Sequence, residues 1–168
     1  EQPGKDDKVI TSWNGLMISA FLSGYRITDN SKYLDVAKKS IDFFESNFEK
    51  NHILHRTFKN GKPKLNGYLD DYAYMANASI DMFENTSDPK YLLFAINLAN
   101  YLITHFWDDS SNGFFFTADN HEKLIMRPKN NYDLSMPSGN SVAAHVLLRL
   151  HHITQNKQFL EITKKIIE

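Results

Sequence analysis

Apolar positions recur along this chain with a helical beat, and the beat comes in two kinds. Between Ser12 and Ile27, Leu16, Ala20 and Phe21 mark an apolar stripe, yet Trp13, Met17, Ile18 and Leu22 leave little polar face. A helix apolar nearly all round is buried on several sides. From Ser31 to Phe48 the pattern is stricter. Leu34, Ala37, Ile41, Phe44 and Phe48 follow a three-four rhythm, with Lys38, Lys39, Asp42 and Glu45 opposite. That predicts an amphipathic outer helix. The same two kinds follow again. An inner helix is predicted over 70–84, with Tyr72, Ala76, Ile80 and Phe83 on one face, and an outer one over 89–107, where Pro89 suits a first helical turn. A third pair is predicted over 138–154 and from Lys157 onward.

Each predicted hairpin turns on the same short stretch. Asp29-Asn30-Ser31-Lys32-Tyr33-Leu34 recurs as Ser87-Asp88-Pro89-Lys90-Tyr91-Leu92, and more loosely as Gln155-Asn156-Lys157-Gln158-Phe159-Leu160. A repeat of roughly sixty residues with a turn inside each unit means stacked helical hairpins. The links between hairpins, 49–69 and 108–137, are long, and long loops in compact domains are usually functional. Both carry ribbon signals. His52 to Phe58 leads into Asn60-Gly61, and Gly113 to Thr117 faces Leu124 to Arg127 around Asp119-Asn120. The fold class expected is therefore all-α: an α/α toroid of buried inner helices clad by amphipathic outer ones, with short β-ribbons in the inter-hairpin loops. Three hairpins (about 12–48, 70–107 and 138–168) make half of the usual six. The chain 1–168 is thus read as part of a toroid domain, completed by the remainder of the same polypeptide or by a second copy.

Composition narrows the partners. At 168 residues the chain has a net charge of -1, so nucleic acid and acidic membranes are not expected partners. With no Cys, disulfides, zinc–thiolate sites and thiol nucleophiles are excluded, which fits the cytoplasm. No apolar run approaches the roughly 20 residues needed to span a bilayer. His145 and His152 are about 10.5 Å apart along one helix, too far to share a metal, and no cofactor or metal is expected.

The polar clusters fall in one place in each repeat. Ser12-Trp13-Asn14-Gly15, Asp70-Asp71-Tyr72 and Ser138-Gly139-Asn140-Ser141 open the three inner helices, the last just after Arg127-Pro128-Lys129 and Tyr132-Asp133. In a toroid these N-termini ring one cavity mouth. Ser12, Asp70 and Ser138 are good N-cap residues, each stabilising a helix start by roughly 1 kcal/mol. Capping alone does not require Asp71, Tyr72, Trp13 and Asn14 beside them. Aromatic rings next to carboxylates and amides suit a sugar-like small molecule, whose faces are apolar and whose rim is hydroxyl. Trp13 and Tyr72 are candidate stacking platforms. Asn14, Asp70, Tyr132, Ser138 and Asn140 are candidate hydrogen-bonding groups, and Arg127 and Lys129 candidates for an anionic group. Adjacent helical residues point about 100° apart, so Asp70 and Asp71 make a poor pair across one bond. Asp71 with Asp133 is the easier catalytic pair. A non-catalytic scaffold that binds a protein or peptide is the alternative.

These motifs carry a resemblance. Asp6-Asp7-Lys8-Val9-Ile10-Thr11-Ser12-Trp13-Asn14-Gly15-Leu16-Met17-Ile18, Leu69-Asp70-Asp71-Tyr72-Ala73, Gly113-Phe114-Phe115, and Arg127-Pro128-Lys129 with Tyr132-Asp133 and Pro137-Ser138-Gly139-Asn140-Ser141-Val142-Ala143-Ala144 resemble, in order, segments of the YyaL-like thioredoxin-domain-containing proteins. These are relatives of the spermatogenesis-associated thioredoxin-like protein of animals. The resemblance implies an N-terminal thioredoxin-like domain outside this chain, and a six-hairpin toroid similar to N-acylglucosamine 2-epimerases and six-hairpin glycosidases. It implies no established activity. One departure stands out: Asn77 occupies a position where many members carry an acid.

Overall fold

In the computed structural model, residues 3–4, 6–50, 52–122 and 125–168 are described. The elements follow in the order β1 (Val9–Ile10), α1 (Thr11–Thr28), α2 (Ser31–Glu49), β2 (His55–Lys59), β3 (Lys62–Asn66), α3 (Leu69–Thr86), α4 (Pro89–His105), α5 (Gly139–Thr154) and α6 (Lys157–Ile167). The six predicted helices form within a few residues of their expected bounds. They are layered as expected. α1, α3 and α5 lie side by side as the inner layer, and α2, α4 and α6 each clad the helix before them.

The central helix α3 shows why. Ala73, Ala76 and Ala78 let neighbours approach closely, while Tyr72, Tyr74, Met75, Ile80 and Met82 fill space on several sides; all are buried. α1 comes so near that a Cβ on Gly15 would lie 2.8 Å from the Tyr74 carbonyl carbon. Only a residue without a side chain fits there. Ala37, Ile41, Phe44 and Phe48 of α2 and Tyr91, Phe94, Leu98 and Leu102 of α4 seal the layer from outside.

The repeated turn is a capping device. Its first residue lies in the left-handed region, with φ of 52° at Asp29, 56° at Ser87 and 59° at Gln155. The next, Asn30, Asp88 or Asn156, caps the outer helix by accepting from the backbone N–H of Lys32, Lys90 or Gln158. The repeat also extends one residue further back. Thr28, Thr86 and Thr154 each donate a hydroxyl hydrogen bond to the carbonyl four residues earlier and accept the N–H of the capping residue.

The first long link forms the expected ribbon. β2 and β3 pair antiparallel around Asn60-Gly61, both at positive φ, and β1 adds a third strand through Val9 and Phe58. The second ribbon does not form among the described residues; Leu124 lies outside them. The reason is Asn140 on α5. Its Oδ1 accepts the Phe114 N–H at 2.7 Å and its Nδ2 donates to the Phe114 carbonyl at 3.0 Å. The groups a strand partner would need are taken by a side chain. What remains is an isolated bridge between Trp107 and Phe114 and a bond from the Phe116 N–H to the Pro128 carbonyl. Among the described residues no helix is long and apolar enough to cross a membrane.

Candidate functional site

The N-termini of α1, α3 and α5 converge, and Asp71 joins the first two. Its side chain is fully buried. Oδ1 accepts the Ser12 N–H at 2.9 Å, Oδ2 accepts the Tyr68 N–H at 2.9 Å, and Arg56 Nη1 lies 3.2 Å from Oδ2. Burial drives its pKa upward against the pull of these donors. Asp71 thus caps α3, ties it to α1 and receives the ribbon's arginine. The expectation of a reacting Asp71 meets a carboxylate whose oxygens are already engaged.

Asp70 is the opposite case. It sits in the first turn of α3, half-buried, and its Oδ1 is enclosed without a hydrogen-bond partner. That oxygen faces the start of α5, where a Cβ on Gly139 would come within 2.5 Å of it. Burial and the charge of Asp71 raise its pKa, while Arg56 and a backbone N–H bond from Gly139 work against them. One turn along α3, Tyr74 donates its hydroxyl to the Pro137 carbonyl. Burial, then the negative charges of Asp70, Asp133 and Asp71, push its pKa up to about 12. The Tyr74 hydroxyl thus lies within the electrostatic influence of both Asp70 and Asp133. Asp133 is exposed and accepts the Ser138 N–H through Oδ1 at 2.7 Å.

A cavity of about 250 Å³ opens here between the inner helices, lined by Gly15, Ser19, Tyr74, Asn77, Pro137 and His145 among others. Beneath it runs a polar seam. Arg149 of α5 reaches Asn77 Oδ1 at 2.7 Å, Asp81 at 2.8 Å and Glu84 at 2.9 Å, and Asn77 donates to Ser19 of α1 at 3.3 Å. The amide at position 77 is thus fully used in joining three helices.

Other expected site residues have structural employment. The Tyr72 ring is buried, stacked on Tyr101 at 4.7 Å, with its hydroxyl accepting the Leu54 N–H. It is a core residue and offers no sugar a free face. Asn140 fixes the Phe114 backbone, and Ser138 caps α5 by accepting the Ser141 N–H. Arg127 lies 4.2 Å over the Phe115 ring and donates to the His105 and Thr117 carbonyls. Lys129 pairs with Asp108 at 2.7 Å and donates to Ser111 and the Asn112 carbonyl. That pairing, with the Ser110 and Ser111 hydroxyls, holds the Asp108 carboxyl well below its ordinary range. Both cations, expected to hold an anionic group, are engaged within the chain: Lys129 inside the 108–137 link, and Arg127 with that link and the end of α4. Trp13 and Tyr132 do stay open, 60% and 79% exposed. Asn14 is half-exposed and donates to the Ile10 carbonyl.

Sequence reasoning passed over Tyr74 and Arg56, and it weighed His145 only as a metal ligand. One signal was available. Asp70, Tyr74, Asn77, Asp81 and Glu84 recur at four-three-four-three spacing, a polar stripe on the inner face of an otherwise buried helix. No group of three or more metal-ligating side chains occurs among the described residues.

Comparison with known proteins fits this geometry. The model of glycosyl hydrolase family 76 matches residues 1–168. Spermatogenesis-associated protein 20 of Rattus norvegicus is 30% identical over 167 residues, which cover 93% of this chain and 21% of the relative. The Homo sapiens protein of that name is 28% identical, with 95% and 22% covered. The chain thus spans about a fifth of the curated relatives it matches. Among solved structures, a family 76 glycoside hydrolase from a bovine Bacteroides thetaiotaomicron strain superposes with a TM-score of 0.77 at 18% identity, over 99% of this chain and 36% of that one. Cellobiose 2-epimerase of Bacillus thermoamylovorans gives 0.79 at 15%, over 96% and 44%. The α-1,6-mannanase of Salegentibacter sp. gives 0.74 at 16%, over 94% and 46%; it was solved with α-1,6-mannotriose as an inactive variant in which two consecutive aspartates are asparagine. The three hairpins are therefore an arc of an α/α toroid.

Proposed function

The chain belongs to glycosyl hydrolase family 76, and on that premise we propose that it binds and modifies a carbohydrate at the mouth of the arc, with Asp70 as the acid–base group. The observation that carries this is the state of Asp70. Its Oδ1 is enclosed without a partner, burial and the neighbouring Asp71 raise its pKa, and it stands one turn before Tyr74, a residue of the cavity wall. A general acid must keep its proton near working pH until a leaving oxygen takes it.

Asp133 is the second carboxylate. In glycoside hydrolysis one carboxylic acid protonates the leaving oxygen, while the ionised partner activates water or attacks the sugar carbon. Asp133, open to solvent beside the start of α5, is the candidate for that partner. Asp71 acts from behind, through its charge and its hold on α1 and α3. The Salegentibacter mannanase loses activity when two consecutive aspartates are replaced, and Asp70-Asp71 is the consecutive pair here at the start of an inner helix. Trp13 and Tyr132 supply apolar ring faces against which a sugar can lie.

A second reading is a sugar epimerase. His145 is exposed on the cavity wall, where an imidazole can move a proton at a carbon beside a carbonyl. The remainder of the protein would carry the thioredoxin-like domain implied by the sequence resemblance, and the cysteine-free composition suits a cytoplasmic location.

The test uses the full protein with α-1,6-mannooligosaccharides and cellobiose, scored for turnover and for thermal stabilisation. Turnover of one panel member, lost in Asp70→Asn at a melting temperature no lower than the parent's, is the expected result. Turnover lost in His145→Ala but kept in Asp70→Asn selects the epimerase. Neither turnover nor stabilisation with any sugar overturns both.

A further inference from the structure

We infer that Arg56 is a positioning residue for the Asp70–Asp71 pair: the ribbon between the first two hairpins delivers one guanidinium that fixes Asp71 and tempers the charge it exerts on Asp70. The inference builds on Asp70 as the reacting acid, but its test reads Asp70 directly and needs no substrate.

The geometry singles out arginine. From β2, Arg56 places Nη1 3.2 Å from Asp71 Oδ2, and its guanidinium carbon lies 4.9 Å from the centroid of the Tyr68 ring. Tyr68 is no bystander. Its N–H donates to the same Asp71 oxygen, and its ring stacks on Phe116 at 4.9 Å with an 11° tilt. One planar cation thus bears on the carboxylate and on the residue whose amide that carboxylate caps. A lysine ammonium, a compact point charge without a planar face, is poorly suited to serve both. The line continues across the fold, because the other Asp71 oxygen accepts the Ser12 N–H of α1 at 2.9 Å. The Thr11 hydroxyl donates back to the His55 carbonyl beside Arg56. Ribbon, inner helix and neighbouring inner helix are registered through this one carboxylate.

The charge argument runs the same way. The groups that face Asp70 are Asp71 on its own helix, Arg56 from β2, the Gly139 N–H of α5, which favours its anion, and the Tyr74 hydroxyl, which also feels Asp133. Of these Asp71 opposes ionisation of Asp70 and Arg56 favours it. Without Arg56, Asp71 keeps its two backbone N–H donors, from Ser12 and Tyr68. Its charge then acts undamped on Asp70. Removing Asp71 has the opposite sign.

Carbodiimide labelling with mass spectrometry of the Asp70 peptide, in the full chain across a pH series, reads this directly, because the reagent couples to protonated carboxyls. In Arg56→Gln the labelling midpoint of Asp70 moves to higher pH by roughly one unit, the size of a close opposite-charge effect. In Arg56→Lys it moves the same way by less, and in Asp71→Asn it moves to lower pH. Melting curves establish that each variant is folded. An Arg56→Gln midpoint equal to the parent's, or shifted in the Asp71→Asn direction, overturns the inference. Should the Gln variant not fold, an unshifted Arg56→Lys midpoint overturns it equally. Failure of the sugar assays alongside these shifts would remove the proposed reaction and leave Arg56's role standing.

Discussion

Asp70 is a carboxyl that the fold would rather keep neutral. Burial and Asp71 penalise its anion, so its pKa in the folded chain lies above the ordinary 3.8. The sign follows. A raised folded pKa means that Asp70 contributes stability while protonated and loses it as pH rises through the folded value. Asp70→Asn should therefore be the more stable protein at pH 7, and its advantage should shrink as pH falls from neutrality toward 3.8. Paired urea titrations check this, and a difference that does not change with pH would contradict it. Stability bought back by blunting a reacting group is the usual mark of a functional site. Asp70 was visible in the sequence as one of two neighbouring acids, but not as the free one. Which of the two carboxylates caps the helix depends on where α3 starts. Leu69 begins it, so Asp71 and not Asp70 falls where a side chain reaches back to the Tyr68 N–H. A boundary shift of one residue exchanges the two roles, and helix boundaries are the least legible feature of any sequence. Tyr72 was misleading for a related reason. An aromatic beside acids suits a sugar, but the same ring on a helix packed on several sides is core.

Among the elements, the hairpin turns hold the clearest prediction. Ser87 is exposed and carries φ of 56°, a conformation that costs an L-residue roughly 1–2 kcal/mol relative to glycine. Glycine also loses more backbone entropy on folding, so Ser87→Gly should gain about 0.5–1 kcal/mol net. Thermal unfolding should show the melting temperature rising, and the equivalent change at Gln155 should behave alike. A fall at both sites would mean that the side chains matter more than the backbone. The helices and turns were legible because their signals are local: apolar spacing, a capping Asn or Asp, Pro89 at a first turn. The ribbon of β2 and β3 was legible for the same reason, through Asn60-Gly61. The second ribbon failed because its fate is set from afar. Asn140 takes the backbone groups of Phe114 across a long separation in sequence, and no window around Phe114 contains that fact.

At the scale of the molecule, contacts run between neighbours. α3 packs against α1, α4 and α5, whereas α6 packs chiefly against α5. Such quasi-one-dimensional stacks unfold from their ends. Hydrogen exchange should accordingly be slowest in α3, intermediate in α1 and α5, and fastest in α6. Equal rates in all three hairpins would instead indicate a single cooperative unit. The arc also separates two kinds of work along the helix axes. Asp70 lies in the first turn of α3 and Ser87 follows its last residue, at opposite ends of an 18-residue helix about 27 Å long at the ordinary rise. Each turn at the far end is surface-exposed at its left-handed residue and closed by its own threonine and capping side chain. Those three turns are therefore places where the chain can be opened, labelled or lengthened from outside. A fluorophore or a new pair of termini installed there would report on events at the mouth while touching none of the groups that line it.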